Sequence, residues 1–292
     1  MGAADAVPGI SGGTLALILG IYERLISALS RFNLNVIKQV FTGDFVKAWN
    51  TMDGTFLITL FIGMGLSLVS LLNLVHWLML EQPILLWSFF FGLVLSSVFY
   101  LGKKLHWNKI STSLFAIGVL LSIFLGLTNA NSIPLTPLSA FIGGAVAICA
   151  MILPGISGSF ILILMGLYLP ISEAVHNHNV TIIGIFLLGC MSGLLSFSKF
   201  LNWILGKYHN QTLALMTGVV AGATLKLWPW QNWAEQNLAR EDKMLATNQW
   251  YLPWNFEAQT LVQPEWILAI MAAFIGGLLI LILAKADARP EE

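Results

Sequence analysis

Residues 8–23 read PGISGGTLALILGIYE, and residues 154–169 read PGISGSFILILMGLYL. At an offset of 146, seven of the sixteen positions are identical: Pro8/Pro154, Gly9/Gly155, Ile10/Ile156, Ser11/Ser157, Gly12/Gly158, Gly20/Gly166 and Tyr22/Tyr168. The echo continues at an offset of 126, pairing Gly63 with Gly189, Leu68 with Leu194, Ser70 with Ser196, Trp77 with Trp203 and Gly92 with Gly218. A weaker echo at 158 pairs Ile117-Gly118 with Ile275-Gly276. The chain therefore reads as an internal duplication, and the changes of offset place extra loop at about residues 31–50 and 229–260.

The rest of the chain is apolar. Of 292 residues, 57% are hydrophobic and 10% charged, and the mean hydropathy is +0.81. A soluble domain carries about 25% charged residues, so the expected class is an all-α polytopic membrane protein. A helix needs ~20 apolar residues to cross the ~30 Å bilayer core. Six stretches qualify: 55–79, 83–101, 110–128, 180–205, 211–228 and 265–284. Trp77, Trp87, Tyr100, Trp107, Trp203, Trp228 and Trp266 mark their ends as an aromatic belt does. The segments 6–30 and 138–175 are also apolar but are interrupted by Pro-Gly. Net charge is zero, which gives no case for nucleic-acid binding. Cys149 and Cys190 sit in apolar runs and read as core residues. No cleavable signal peptide is expected at the start of the chain.

Lys and Arg set the orientation. One side collects Arg24, Arg31, Lys38, Lys47, Lys103, Lys104, Lys109, Lys207, Lys285 and Arg289, and the other only Lys226, Arg240 and Lys243. Ten against three makes the first side, with both termini, cytoplasmic. Each half is one broken segment plus three spans: residues 1–130 and 131–292. Three is odd, so the second half is expected upside down relative to the first, with re-entrant breaks at 6–30 and 138–175 and an outer loop at 229–264. Inverted repeats with interrupted helices are a secondary-transporter architecture, with the site where the breaks meet. About thirteen apolar residues (138–150) precede the second motif but only five (1–5) precede the matching part of the first, so the first hairpin is expected to have almost no inbound arm.

The motif itself suits an anion. Proline ends the inbound arm, because it lacks an N–H and disfavours helix before it. Ser11 and Ser157 are suited to cap the outbound helices. A helix start carries up to four unpaired N–H groups and about half a positive charge, which makes it a phosphate site. Gly9, Gly12, Gly13, Gly155, Gly158 and Ser159 would let a phosphate oxygen approach the backbone. One such motif alone reads as a kinked helix; recurrence at matching places in two inverted halves favours a re-entrant pair.

Other polar residues stand at membrane depth. Lys199, one turn before Asn202, matches Asn73 and His76 in the first half. These four form either a polar stripe facing a cavity or, for Lys199, a side chain reaching the interface near Lys207. Arg24 suits a head group at the cytoplasmic mouth or simple pairing with Glu23, and Lys226 suits the outer mouth. Any proton coupling would draw on Asp5, Glu23, Glu173 or His76. His176 and His178 without a third ligand make a weak case for a metal, and neither metal nor cofactor is expected.

The runs GAADAVPGISGGTLALILGIYERLISAL, MILPGISGSFILILMGLY and LSFSKFLNWIL…TGVVAGATLKLWPW resemble the bacterial polyprenyl-phosphate transporter family over essentially the whole chain. That resemblance implies return of undecaprenyl phosphate, or a related anionic polyprenyl lipid, from the outer to the inner leaflet of the cytoplasmic membrane. Two rivals are weighed against it. A small-anion channel or antiporter would use the same midplane helix starts. A lipid-modifying enzyme would need a nucleophile with its base, and His76, His106, His176, His178 and His209 form no recognisable set with a serine.

Overall fold

In hydrocarbon every backbone N–H and C=O must be satisfied within the protein, which leaves helices as the means of crossing for runs such as these. The computed structural model describes residues 1–2, 11–128, 133–231, 250–260 and 263–287. Four of its helices are long and apolar enough to span a membrane, and two bent helix pairs raise this to six if each pair is one span. This is an all-α, multi-pass membrane protein.

The first half runs through α1 (Gly12–Ile18), α2 (Tyr22–Ser30), α3 (Leu34–Phe41), α4 (Phe45–Thr51), α5 (Gly54–Glu81), α6 (Pro83–Lys104) and α7 (Lys109–Leu127). The second runs through α8 (Pro137–Ile152), α9 (Gly158–Leu164), α10 (Tyr168–His176), α11 (Val180–Lys207), α12 (His209–Ala223) with a 3-10 turn at Thr224–Leu227, α13 (Pro253–Thr260) and α14 (Trp266–Asp287).

The sequence echo has a structural counterpart. α1 and α9 each have seven residues, α2 and α10 nine, and α5 and α11 twenty-eight. The α1–α2 and α9–α10 joints bend by 116° and 109°. Each joint turns on a left-handed glycine, Gly20 (φ 71°) and Gly166 (φ 69°). Each is closed by the same pair of bonds: Gly20 N to Leu17 O and Ile21 N to Ala16 O, Gly166 N to Ile163 O and Leu167 N to Leu162 O. This is the double-bonded helix stop that glycine permits. The turn into α6 at Gln82 (φ −138°, ψ 53°) recurs at Tyr208 (φ −130°, ψ 50°) into α12.

Packing between spans follows the duplication, with an exchange of partners. α6 crosses α14, where a Cβ on Gly92 would overlap the Ala273 carbonyl and one on Gly276 the Phe89 carbonyl. α12 crosses α7, where a Cβ on Gly218 would overlap the Phe115 carbonyl and one on Gly118 the Leu215 carbonyl. Shifted by 126 and 158, the first crossing becomes the second. Small residues at a crossing let two backbones touch, the usual basis of close helix pairing in membranes. Helix α7 is therefore clamped to α12 and α6 to α14, so helices from the two ends of the chain interlock.

The buried core lies between these crossings. Ile18, Val75, Trp87, Phe90, Val94, Val220, Leu227 and Ile280 form one cluster, and Ala16, Leu17, Tyr22, Ile26, Leu101, Leu201, Leu205 and Met216 another. The outer faces carry exposed Phe61, Leu66, Val69, Leu120, Phe124, Leu187, Leu188, Phe274 and Ile282, as lipid-facing helices do.

Three expectations need adjustment. The extra loop at 31–50 contains two short helices, α3 and α4, whose apolar Phe41, Phe45 and Val46 are exposed; apolar residues interleaved with Lys38 and Lys47 favour helix at an interface. The span expected at 211–228 is α-helical only to Ala223 and finishes as a tighter turn. The loop at 229–264 is anchored where it is described: Trp228 Nε1 donates to Tyr251 O and Trp230 Nε1 to Pro264 O, both at 2.8 Å, with helix α13 between them.

Candidate substrate site

The two broken segments touch each other. Ser11 caps α1, its Oγ accepting from Gly13 N–H at 3.2 Å. The same hydroxyl donates to the Met151 carbonyl at the end of α8, 3.3 Å away. A Cβ on Gly13 would lie 2.9 Å from the Ile152 carbonyl oxygen, so only glycine lets α1 start against the α8 terminus. Gly155, in the left-handed region at φ 83°, donates its N–H to Thr14 Oγ1 at 2.8 Å. The breaks are thus joined by hydrogen bonds between residues some 140 positions apart.

The two motifs are not in the same condition. Ser11, Gly12, Gly13 and Thr14 are all buried, and Ser11 and Thr14 are hydrogen-bonded to the partner break. In the second motif Ser157 takes the N-cap position of α9 with extended backbone (φ −98°, ψ 135°), yet its side chain makes no cap bond. Its hydroxyl lies 2.7 Å from that of Ser159 instead, because Ser159 in the first turn competes for it. The cap expected of Ser157 is therefore not made. Ser159 is exposed and Ser157 half-buried, which leaves the second motif the more accessible of the two.

The remaining predicted residues are spread out. Arg24 on α2 donates Nε and Nη2 to Asp53 at 2.6 and 3.1 Å and lies over the Phe56 ring. This ties the first broken segment to the start of α5. The bonded guanidinium holds the Asp53 carboxyl below its ordinary range, so it keeps its charge, and this tie, to a lower pH than an unpaired aspartate would. Glu23 pairs instead with His209 at the start of α12, at 3.6 Å. Lys199, Asn202 and Asn73 are exposed, and no hydrogen bond or ion pair joins Lys199 to another described residue. Asp5, Gly9 and the side chain of His76 lie outside the described residues. Thr14 went unpredicted; the repeat hides it, since Phe160 stands at the matching position.

A family model described as VCA0040-like, undecaprenyl phosphate translocase-like, matches residues 1–244. The chain belongs to this translocase-like family. It is 41% identical over 290 residues to the polyprenyl-phosphate transporter of Vibrio cholerae serotype O1, covering 98% of this chain and 93% of that protein. It is 34% identical over 249 residues to the polyprenyl-phosphate transporter of Staphylococcus aureus, covering 78% of this chain and 83% of that one. No solved structure matches it.

Proposed function

We propose that this chain carries a polyprenyl phosphate, undecaprenyl phosphate or a close relative, from the outer to the inner leaflet of a bacterial cytoplasmic membrane, as a transporter and without chemistry on the lipid. The observation that carries the reading is the junction of the two breaks through Ser11–Met151 and Thr14–Gly155, in a chain whose relatives are named polyprenyl-phosphate transporters. A phosphate cannot cross hydrocarbon unsolvated, and irregular backbone inside a membrane protein supplies the polar groups that replace water. Residues 1–130 and 131–292 act as the two repeats, inverted in the membrane with both termini cytoplasmic. The partner exchange supports this: the α6–α14 crossing corresponds to the α12–α7 crossing with the halves exchanged, the pattern that two repeats related by a two-fold axis would give. With three spans per half, that axis lies in the membrane plane. Because α6 is clamped to α14 and α7 to α12 across the halves, alternating access here is a movement of the joined broken segments against that interlocked frame, with the isoprenoid tail left in lipid.

The test is proteoliposomes holding labelled undecaprenyl phosphate in one leaflet. The expected result is leaflet exchange accelerated at least about tenfold over empty vesicles, with chloride efflux unchanged. Chloride efflux without lipid exchange would replace the reading by an anion pathway; neither activity would remove it.

A further inference from the structure

The second, more accessible break has a cation beside it. Lys226 sits in the 3-10 turn Thr224–Leu227 after α12. Its backbone is fixed: Gln231 Nε2 donates to the Lys226 carbonyl at 3.0 Å and to the Trp228 carbonyl at 2.8 Å, and Gln231 and Leu227 are buried. The side chain passes Gly126 near the end of α7, where a Cβ would lie 3.0 Å from Lys226 Cε. The ammonium ends 3.4 Å from the centroid of the Phe160 ring. Phe160 is in the first turn of α9, directly after Ser159, in the turn that holds the Ser157–Ser159 hydroxyl pair.

Among the described residues no carboxylate pairs with Lys226. Lys207 and Lys104 also lie over aromatic rings, those of Trp203, Tyr208 and Tyr100, but these rings belong to the lysines' own or adjoining segments at span ends. Lys226 reaches across to a different element, and that element is a chain break. A cation half-buried in an apolar setting is unfavourable unless an anion or water offsets it, and a ring face offsets only part of it. Lysine is a compact charge with rotatable donors, suited to a phosphate oxygen, and the paired hydroxyls of Ser159, next to Phe160, and Ser157, three residues before it, supply further donors.

Resting on the proposed transport of a polyprenyl phosphate, we propose that Lys226 binds the phosphate monoester at the second break, together with Ser157 and Ser159. The first motif, buried and bonded to its partner, does not offer this in the same conformation.

The test uses the full chain in nanodiscs of zwitterionic lipid, titrated with farnesyl phosphate, farnesol and inorganic phosphate. Lys226→Gln is expected to weaken farnesyl phosphate binding by about tenfold or more, the effect of losing one charged contact. Lys226→Arg stays within about threefold, Lys207→Gln binds like wild type, and farnesol is indifferent to all three. Lys226→Met keeps the aliphatic stem on Gly126 and carries the same expectation if the glutamine variant folds poorly. Wild-type affinity in both charge-loss variants, or equal losses in Lys207→Gln, overturns the assignment. If inorganic phosphate binds wild type as tightly as farnesyl phosphate and is lost in Lys226→Gln, the residue stands and the lipid source falls. Failure of wild type to exchange labelled lipid between leaflets, with farnesyl phosphate still bound through Lys226, would separate loss of the transport reading from loss of this one.

Discussion

Gly92→Ala is expected to lower the unfolding midpoint in detergent by about 5–10 °C, with a matching loss of yield, whereas Gly63→Ala leaves the midpoint unchanged or slightly raised. Both glycines lie inside long helices, where alanine gains roughly 0.5–1 kcal/mol from propensity alone. Their surroundings decide the sign. A Cβ on Gly92 would overlap the Ala273 carbonyl, carbon and Cα of α14, all backbone, while one on Gly63 meets nothing within 4 Å. Backbone cannot rotate aside as a side chain can, so α6 and α14 must move apart, and overpacking of this kind costs about 1–3 kcal/mol or more. The spacing also spreads to the neighbours, because Gly276 and Gly277 stand against Phe89 and Ser96 in the same crossing. Gly218→Ala should match Gly92→Ala, since the same overlap recurs against Phe115. Intrinsic tryptophan fluorescence during a thermal ramp reads all three, and equal midpoints for the Gly92 and Gly63 variants would remove close crossing as the source of stability.

That pair of glycines also shows what the sequence carries and what it lacks. Gly92 and Gly218 stand out at an offset of 126, and Gly118 and Gly276 at 158, because glycine and proline are chosen for backbone reasons that survive divergence. The broken segments were legible through Pro8-Gly9 and Pro154-Gly155; the sharp bends at Gly20 and Gly166, left-handed helix stops identical across the repeat, were seen as matching positions but not as breaks. The partner exchange was not legible. An offset says which residues correspond, and nothing in it says that α6 packs on α14 rather than on α7. Helices α3 and α4 were hidden because a segment with Arg31, Lys38 and Lys47 reads first as a charged loop that sets orientation. At the site, Ser11 capped as its type suggests, but Ser157 did not. The difference lies at the residue two places on, Gly13 against Ser159, and no cap rule weighs a competing hydroxyl. Thr14 was invisible because its partner is a backbone N–H on the other break, 141 residues away.

Thr14→Val is expected to cut lipid exchange in proteoliposomes by about tenfold or more, while Thr14→Ser stays within about threefold of wild type. Valine keeps the shape and removes the acceptor for Gly155 N–H, which now makes a 2.8 Å bond. Thr14 is buried and its bond to Gly155 partly so, and a shielded donor left unpaired costs about 1–3 kcal/mol. Gly155 has little room to find another partner, since its Cβ position already lies 3.2 Å from the Val219 backbone and its φ of 83° is open to few other residues. The strain therefore falls on the loop that precedes Ser157 and Ser159, displacing those hydroxyls from the accessible break. Serine restores the acceptor without the methyl group, so a rescued rate identifies the hydrogen bond, and not the packing of the side chain, as what aligns the two breaks. A Thr14→Val protein that exchanges lipid at the wild-type rate would show that the breaks work independently, and the proposed coupling of the two halves through their junction would have to be given up.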